Sequence, residues 1–178
     1  ANGLLYAKDG TYKFFSNEQL ASVDAVEAAI EAAAAITEET TLESFKAAIG
    51  AAQTAYDELA DVDLQGMVSN YSVIAELNAA VTAIEAADDL IEALPEAADI
   101  NSEETAEAAL TDLEAAEAAV EALGEYGGLV PAASAEKLAA VRAAVNEWIK
   151  PEEIAAVEAM IDAIGTIPET DAYKSAKA

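Results

Sequence analysis

Residues 63–95, DLQGMVSNYSVIAELNAAVTAIEAADDLIEALP, carry the reading that decides the architecture. Leu64, Val68, Tyr71, Ile74, Val81, Ile84, Ile91 and Leu94 return at the spacing of one helix face. Asp63 stands where an N-cap belongs, and Pro95 where a helix must stop. The pattern predicts one helix of about 30 residues, roughly 45 Å long at 1.5 Å per residue. That is long for a compact domain.

Upstream of it, Ser16-Asn17-Glu18-Gln19 has the capping-box pattern and opens a helix expected to reach about Ile36. Thr40-Thr41-Leu42-Glu43 repeats that signature. Leu42, Phe45, Ile49, Ala52, Tyr56 and Leu59 then form a second stripe. Downstream, Asn101-Ser102-Glu103-Glu104 opens a fourth helix carrying Leu110, Leu113, Val120 and Leu123, closed by Gly124 and Gly127-Gly128. Ser134 is expected to cap a fifth, bearing Leu138, Val141, Val145 and Trp148. At Pro151 that helix kinks or restarts, then continues through Ile154, Val157, Ile161 and Ile164 to Gly165.

Laid on itself, the chain repeats. At an offset of about 64, Val26 falls on Leu90, Ile30 on Leu94, Ile36 on Ile100, Thr41 on Thr105, Ile49 on Leu113, Tyr56 on Val120 and Leu59 on Leu123. At about 70, Val68 falls on Leu138, Ile84 on Ile154, Ile91 on Ile161 and Leu94 on Ile164. These matches predict three-helix units joined through shared long helices, a rod analogous in architecture to spectrin, in which each unit touches mainly its neighbours. Residues 16–80 form the first unit, 81–148 the second and 149–178 the start of an incomplete third. The truncated third copy suggests a piece of something longer, or a subunit completed by its neighbour.

Residues 1–15 are different. Leu4-Leu5-Tyr6-Ala7 and Tyr12-Lys13-Phe14-Phe15 flank an Asp9-Gly10 turn, which predicts a β-hairpin. A lone hairpin is marginal in water, so it should pack on the helices, pair with another chain or end a preceding β domain. Partner-strand addition through its aromatic residues is a live alternative to packing on the bundle.

Composition agrees with long, thin helices. About a quarter of the chain is Ala, the best helix former, against 8 Gly and 4 Pro. Thirty-five acidic residues face 8 basic ones, net −27, so phosphate backbones and anionic lipid surfaces are repelled. Glu114, Glu117 and Glu121 set like charges three and four residues apart. Salt or calcium is expected to relieve that strain non-specifically. The absence of Cys and His excludes disulfides, thiol nucleophiles, Cys- or His-built zinc sites and His-based triads. No apolar run reaches membrane-spanning length. The Ala1 start fits a processed secreted protein or an excised fragment.

Three stretches carry a resemblance: Ala52-Gln53-Thr54-Ala55-Tyr56-Asp57-Glu58-Leu59, Val68-Ser69-Asn70-Tyr71 and Ile161-Asp162-Ala163-Ile164-Gly165-Thr166-Ile167. The chain from about residue 23 onward is similar to helical stalk repeats of Gram-positive bacterial cell-surface proteins, the FIVAR-like and related modules. The second unit departs from the pattern, with Val120 in place of the Tyr and no Asn-Tyr start. The resemblance implies a spacer or adhesive stalk, near cell-wall or surface-layer components, and supplies no catalytic residues.

Two short motifs have sharper readings. Asp61-Val62-Asp63-Leu64-Gln65-Gly66 has the opening of a calcium loop, but its twelfth position is Ser72 where a bidentate Glu is needed, which favours a helix-capping turn. Asn70-Tyr71-Ser72 is a glycosylation sequon sitting at a helix start, where the structural reading is preferred. Trp148 is expected in the core or at an interface. Paired carboxylates abound, yet none is marked as an acid–base pair by burial. No catalytic, cofactor-binding or metal-binding residue is therefore assigned.

The expected protein is all-α with a short N-terminal hairpin, an extracellular non-enzymatic spacer whose partners are neighbouring domains or copies of itself. The alternative is a self-assembling filament or surface-layer subunit with the hairpin between copies.

Overall fold

The structure, a computed structural model, describes residues 3–149 and Met160. It is mostly helical, with one two-stranded sheet.

Strands β1 (Gly3–Lys8) and β2 (Thr11–Ser16) pair antiparallel, Lys8 opposite Thr11 and Leu4 opposite Phe15. Asp9 and Gly10 form the two-residue loop, with φ of 51° and 80°. Both are left-handed, the backbone a type I′ turn requires and the reason an Asp-Gly pair specifies it. Thr11 Oγ1 donates to the Lys8 carbonyl at 2.7 Å and helps close the loop.

Helix α1 (Asn17–Ala34) starts without a linker, because Ser16 is both the last strand residue and the N-cap. Its hydroxyl accepts from the Gln19 N–H, and Gln19 Oε1 accepts from the Ser16 N–H at 3.0 Å, the reciprocal box expected there. Helix α2 (Leu42–Asp57) is capped one residue later than its Thr40–Glu43 signature suggested. Thr41 is the cap and Ser44, not Glu43, is its partner.

The expected long helix is not continuous. Val62–Gln65 forms a single turn, α3, capped by Asp61. A tight turn follows, and α4 runs Ser72–Glu92, about 31 Å at 1.5 Å per residue. The break has a tertiary cause. Glu27 of α1 accepts hydrogen bonds from the Ser69 N–H and hydroxyl, both at 2.7 Å, while Asn70 Nδ2 donates to the Glu27 carbonyl at 3.0 Å. Leu64 before the turn and Val68 within it are both buried. Anchoring and burial together override the helical period.

After the turn Ala97–Asp99, helix α5 (Glu103–Ala122) is capped by Ser102 with Thr105. It ends at a left-handed Gly124, φ 57°, as the glycine pattern predicted. Helix α6 (Ala132–Trp148) begins directly after Pro131. Ser134 is not its cap but lies buried within the first turn.

Helix α4 packs against α1 and α2 on one side of the chain order and against α5 and α6 on the other. The buried residues form one continuous cluster across both groups. Much of the α5 contribution is Ala106, Ala109 and Ala116 rather than the Leu and Val read from the stripe; Leu110 and Val120 are half-buried. Small residues of this kind let helix backbones approach closely.

Burial also corrects the internal alignment. The offset of 64 holds between α2 and α5: Phe45 and Ala109, Ile49 and Leu113, Ala52 and Ala116, Leu59 and Leu123 are buried pairwise. It fails between α1 and α4, because Val26 is 3% exposed and Leu90 is 42% exposed. There Val23, Val26, Ile30 and Ala33 match Ile84, Ala87, Ile91 and Leu94 in burial. That is three residues nearer, and the difference lies in the longer α4–α5 connection. The counterparts proposed at Ile154, Ile161 and Ile164, and residues 150–178 generally except Met160, lie outside the described residues.

Candidate interaction surface

The hairpin has two unlike faces. Residues directly opposite share a face, so Leu4, Tyr6, Lys8, Thr11, Lys13 and Phe15 lie on one side, Leu5, Ala7, Tyr12 and Phe14 on the other. The first side docks through Phe15 and Tyr6, while Leu4 at its outer end stays 44% exposed. Phe15 is 2% exposed in the core, with Tyr6 packed at a ring-centroid distance of 6.0 Å.

Two lysines of that side grip the start of α3. Lys13 Nζ donates to Asp61 Oδ1 at 3.0 Å and to Asp63 Oδ2 at 2.5 Å, and Lys8 Nζ reaches Asp63 Oδ1 at 3.4 Å. The Lys13 ammonium is held above its ordinary value by its hydrogen bond to Asp63 and then by that to Asp61. Asp61 is held below the usual carboxylate value by the Asp63 N–H, then by Lys13. Asp63 is lowered by Lys13 first. The segment that opens like a calcium loop thus caps α3 and receives the hairpin: Asp61 Oδ1 accepts from the Asp63 N–H at 2.9 Å. Among the described residues no group of three potential ligands converges on a metal position.

The opposite side is open to solvent. Leu5 is 64%, Tyr12 71% and Phe14 53% exposed. Phe14 lies across Gly3, where an added Cβ would stand 2.6 Å from Phe14 Cζ. Gly3 is the diagonal cross-strand neighbour of Phe14, and an aromatic ring laid over an edge glycine is a recurrent way to stiffen a sheet edge. Among the described residues β1 and β2 pair only with each other, so each keeps an outer edge with no strand beside it there.

The sequon residue Asn70 is half-buried, and its Nδ2, the atom a glycan would need, is committed to the Glu27 carbonyl. Glu27 itself is held below its ordinary value by the Ser69 N–H and then its hydroxyl. The site is a turn anchor. Beside it Tyr56 and Tyr71 stack with centroids 3.8 Å apart, and Tyr71 Oη donates to Gln53 Oε1 at 3.3 Å. These two tyrosines therefore fasten the end of α2 to the start of α4. Trp148 is 44% exposed rather than in the core.

A groove of about 610 Å³ runs between Glu38–Glu43 and Gly128–Ala132. It is open, and its walls mix Leu42, Leu129, Val130 and Pro131 with exposed Glu38, Glu39 and Glu43. No helix of the described residues is long and apolar enough to cross a membrane. Compared with protein-family models, curated proteins and solved structures, the chain matches none.

Proposed function

We propose that this chain is a non-enzymatic extracellular spacer, a segment of a stalk or scaffold built from three-helix units that share a helix. What supports the reading most is the position of α4, which packs on α1 and α2 as well as on α5 and α6. A helix that closes one bundle and opens the next transmits alignment along a chain of units. The burial correspondence between α2 and α5 at a fixed offset points the same way.

In this reading the acidity keeps neighbouring stalks apart and disfavours nucleic-acid and anionic-surface binding. The functional side chains are structural: caps, turn anchors and the hairpin clamp. Small-angle X-ray scattering of the chain tests it. A radius of gyration well above the roughly 16 Å of a compact chain this length supports a spacer, and a value near 16 Å counts against it.

A further inference from the structure

We propose that the outer face of the hairpin is a self-association surface, taking the same face of a second copy of this chain across a two-fold axis parallel to the strands. The inference does not depend on the spacer reading, since a compact monomer would present the same face.

The shape of that face is self-complementary. Across the face Tyr12 stands opposite the small Ala7, and Phe14 opposite Leu5 with its ring leaning over Gly3. A two-fold axis between two such faces sets the β2 side of one copy over the β1 side of the other. Tyr12 then meets the partner copy's Ala7, and Phe14 its Leu5. Two sheets packed in this way stand about 10 Å apart. This is an isologous contact, which closes at two copies.

Charge selects the same face. Asp9 is the sole carboxylate among residues 1–17, whereas the whole chain carries −27. The lysines behind the face are already engaged by Asp61 and Asp63. Each helical body lies behind its own hairpin, because Phe15 docks inward on the core. The two bodies are then separated by both hairpins, more than a Debye length of about 8 Å at physiological salt. The hairpins let two strongly acidic chains meet without bringing their carboxylates together.

Area fixes the strength. Aromatic side chains bury about 150–250 Å² each, so the exposed parts of Leu5, Ala7, Tyr12 and Phe14 offer roughly 400 Å² per copy. A pair covers roughly 800 Å², below the ~1,000 Å² of a stable complex. The association is therefore weak, concentration-dependent and strengthened by salt.

Sedimentation velocity of the full chain over a concentration series, at low and high sodium chloride, tests this. The expected result is a reversible monomer–dimer equilibrium that tightens with salt and stops at two. Tyr12→Lys and, at the small position, Ala7→Lys each weaken it by about tenfold or more. Leu90→Lys, at an exposed site on α4, leaves it unchanged. Monomer under all conditions overturns the proposal. Growth beyond two copies, which would signal edge-to-edge strand pairing, or equal weakening by Leu90→Lys also overturns it.

Discussion

Phe45 of α2 and Tyr126 of the turn after α5 stand with ring centroids 5.9 Å apart, planes inclined by 43°. They belong to different helix pairs, and Phe45 is 1% exposed. Lys46 of α2 and Glu85 of α4 form an ion pair. The two halves of the chain are joined through side chains as well as through α4.

Phe45→Ala should therefore destabilise the whole molecule, by about 3–5 kcal/mol. Because the core is continuous, helical signal is lost in one transition, not two. Urea unfolding followed by circular dichroism checks both points. A double-mutant cycle with Tyr126→Leu should return a coupling of about 0.5–1.5 kcal/mol for the ring pair. Two separated transitions would mean that the halves fold independently.

Acid should release the hairpin. Asp61 and Asp63 have folded pKa values below their ordinary 3.8, so their stabilisation is fully present above that value. It is lost as pH falls through the lower folded values. Lys13 is raised above 10.5, so its share is present below 10.5 and lost as pH rises through the folded value. Hydrogen exchange at acid pH should show faster exchange in β1 and β2. The helices should gain protection as protonation removes carboxylate repulsion.

Salt should raise the melting temperature. Arg142 lies against the acidic face of α5, with its Nε donating to Glu117 Oε1 at 2.6 Å, and Glu117 holds the guanidinium above its ordinary value. Arg142→Gln should lower the melting temperature more at low than at high sodium chloride, because the released repulsion among Glu114, Glu117 and Glu121 is screened. Equal losses at both salt concentrations would assign Arg142 a packing role instead.

Asn70→Ala should loosen the α3–α4 turn by about 0.5–1.5 kcal/mol, since the side-chain bond that ties the turn to the Glu27 carbonyl of α1 is lost. Ser102→Ala should cost about 0.5–2 kcal/mol through loss of the α5 cap. Thermal unfolding measures both. The Asn70 variant should also raise exchange at the start of α4 selectively.

Local chemistry alone determined the hairpin and its Asp9-Gly10 turn, the capping box at Ser16, the glycine stop at Gly124 and the helical stripe of α2. Each depends on residues within one or two turns of one another, which a linear pattern contains. Only tertiary structure decided that the stretch from Asp63 to Leu94 breaks before Ser72. The residue that breaks it, Glu27, lies more than 40 positions away, and the periodic pattern reads the same through the break. Likewise the open face of the hairpin, Leu5, Ala7, Tyr12 and Phe14, is the more apolar of the two in sequence, whereas the docked face carries Lys8, Thr11 and Lys13. Which of them meets solvent depends on where Asp61 and Asp63 are placed to receive Lys13, a position fixed by folding rather than by neighbours in the chain.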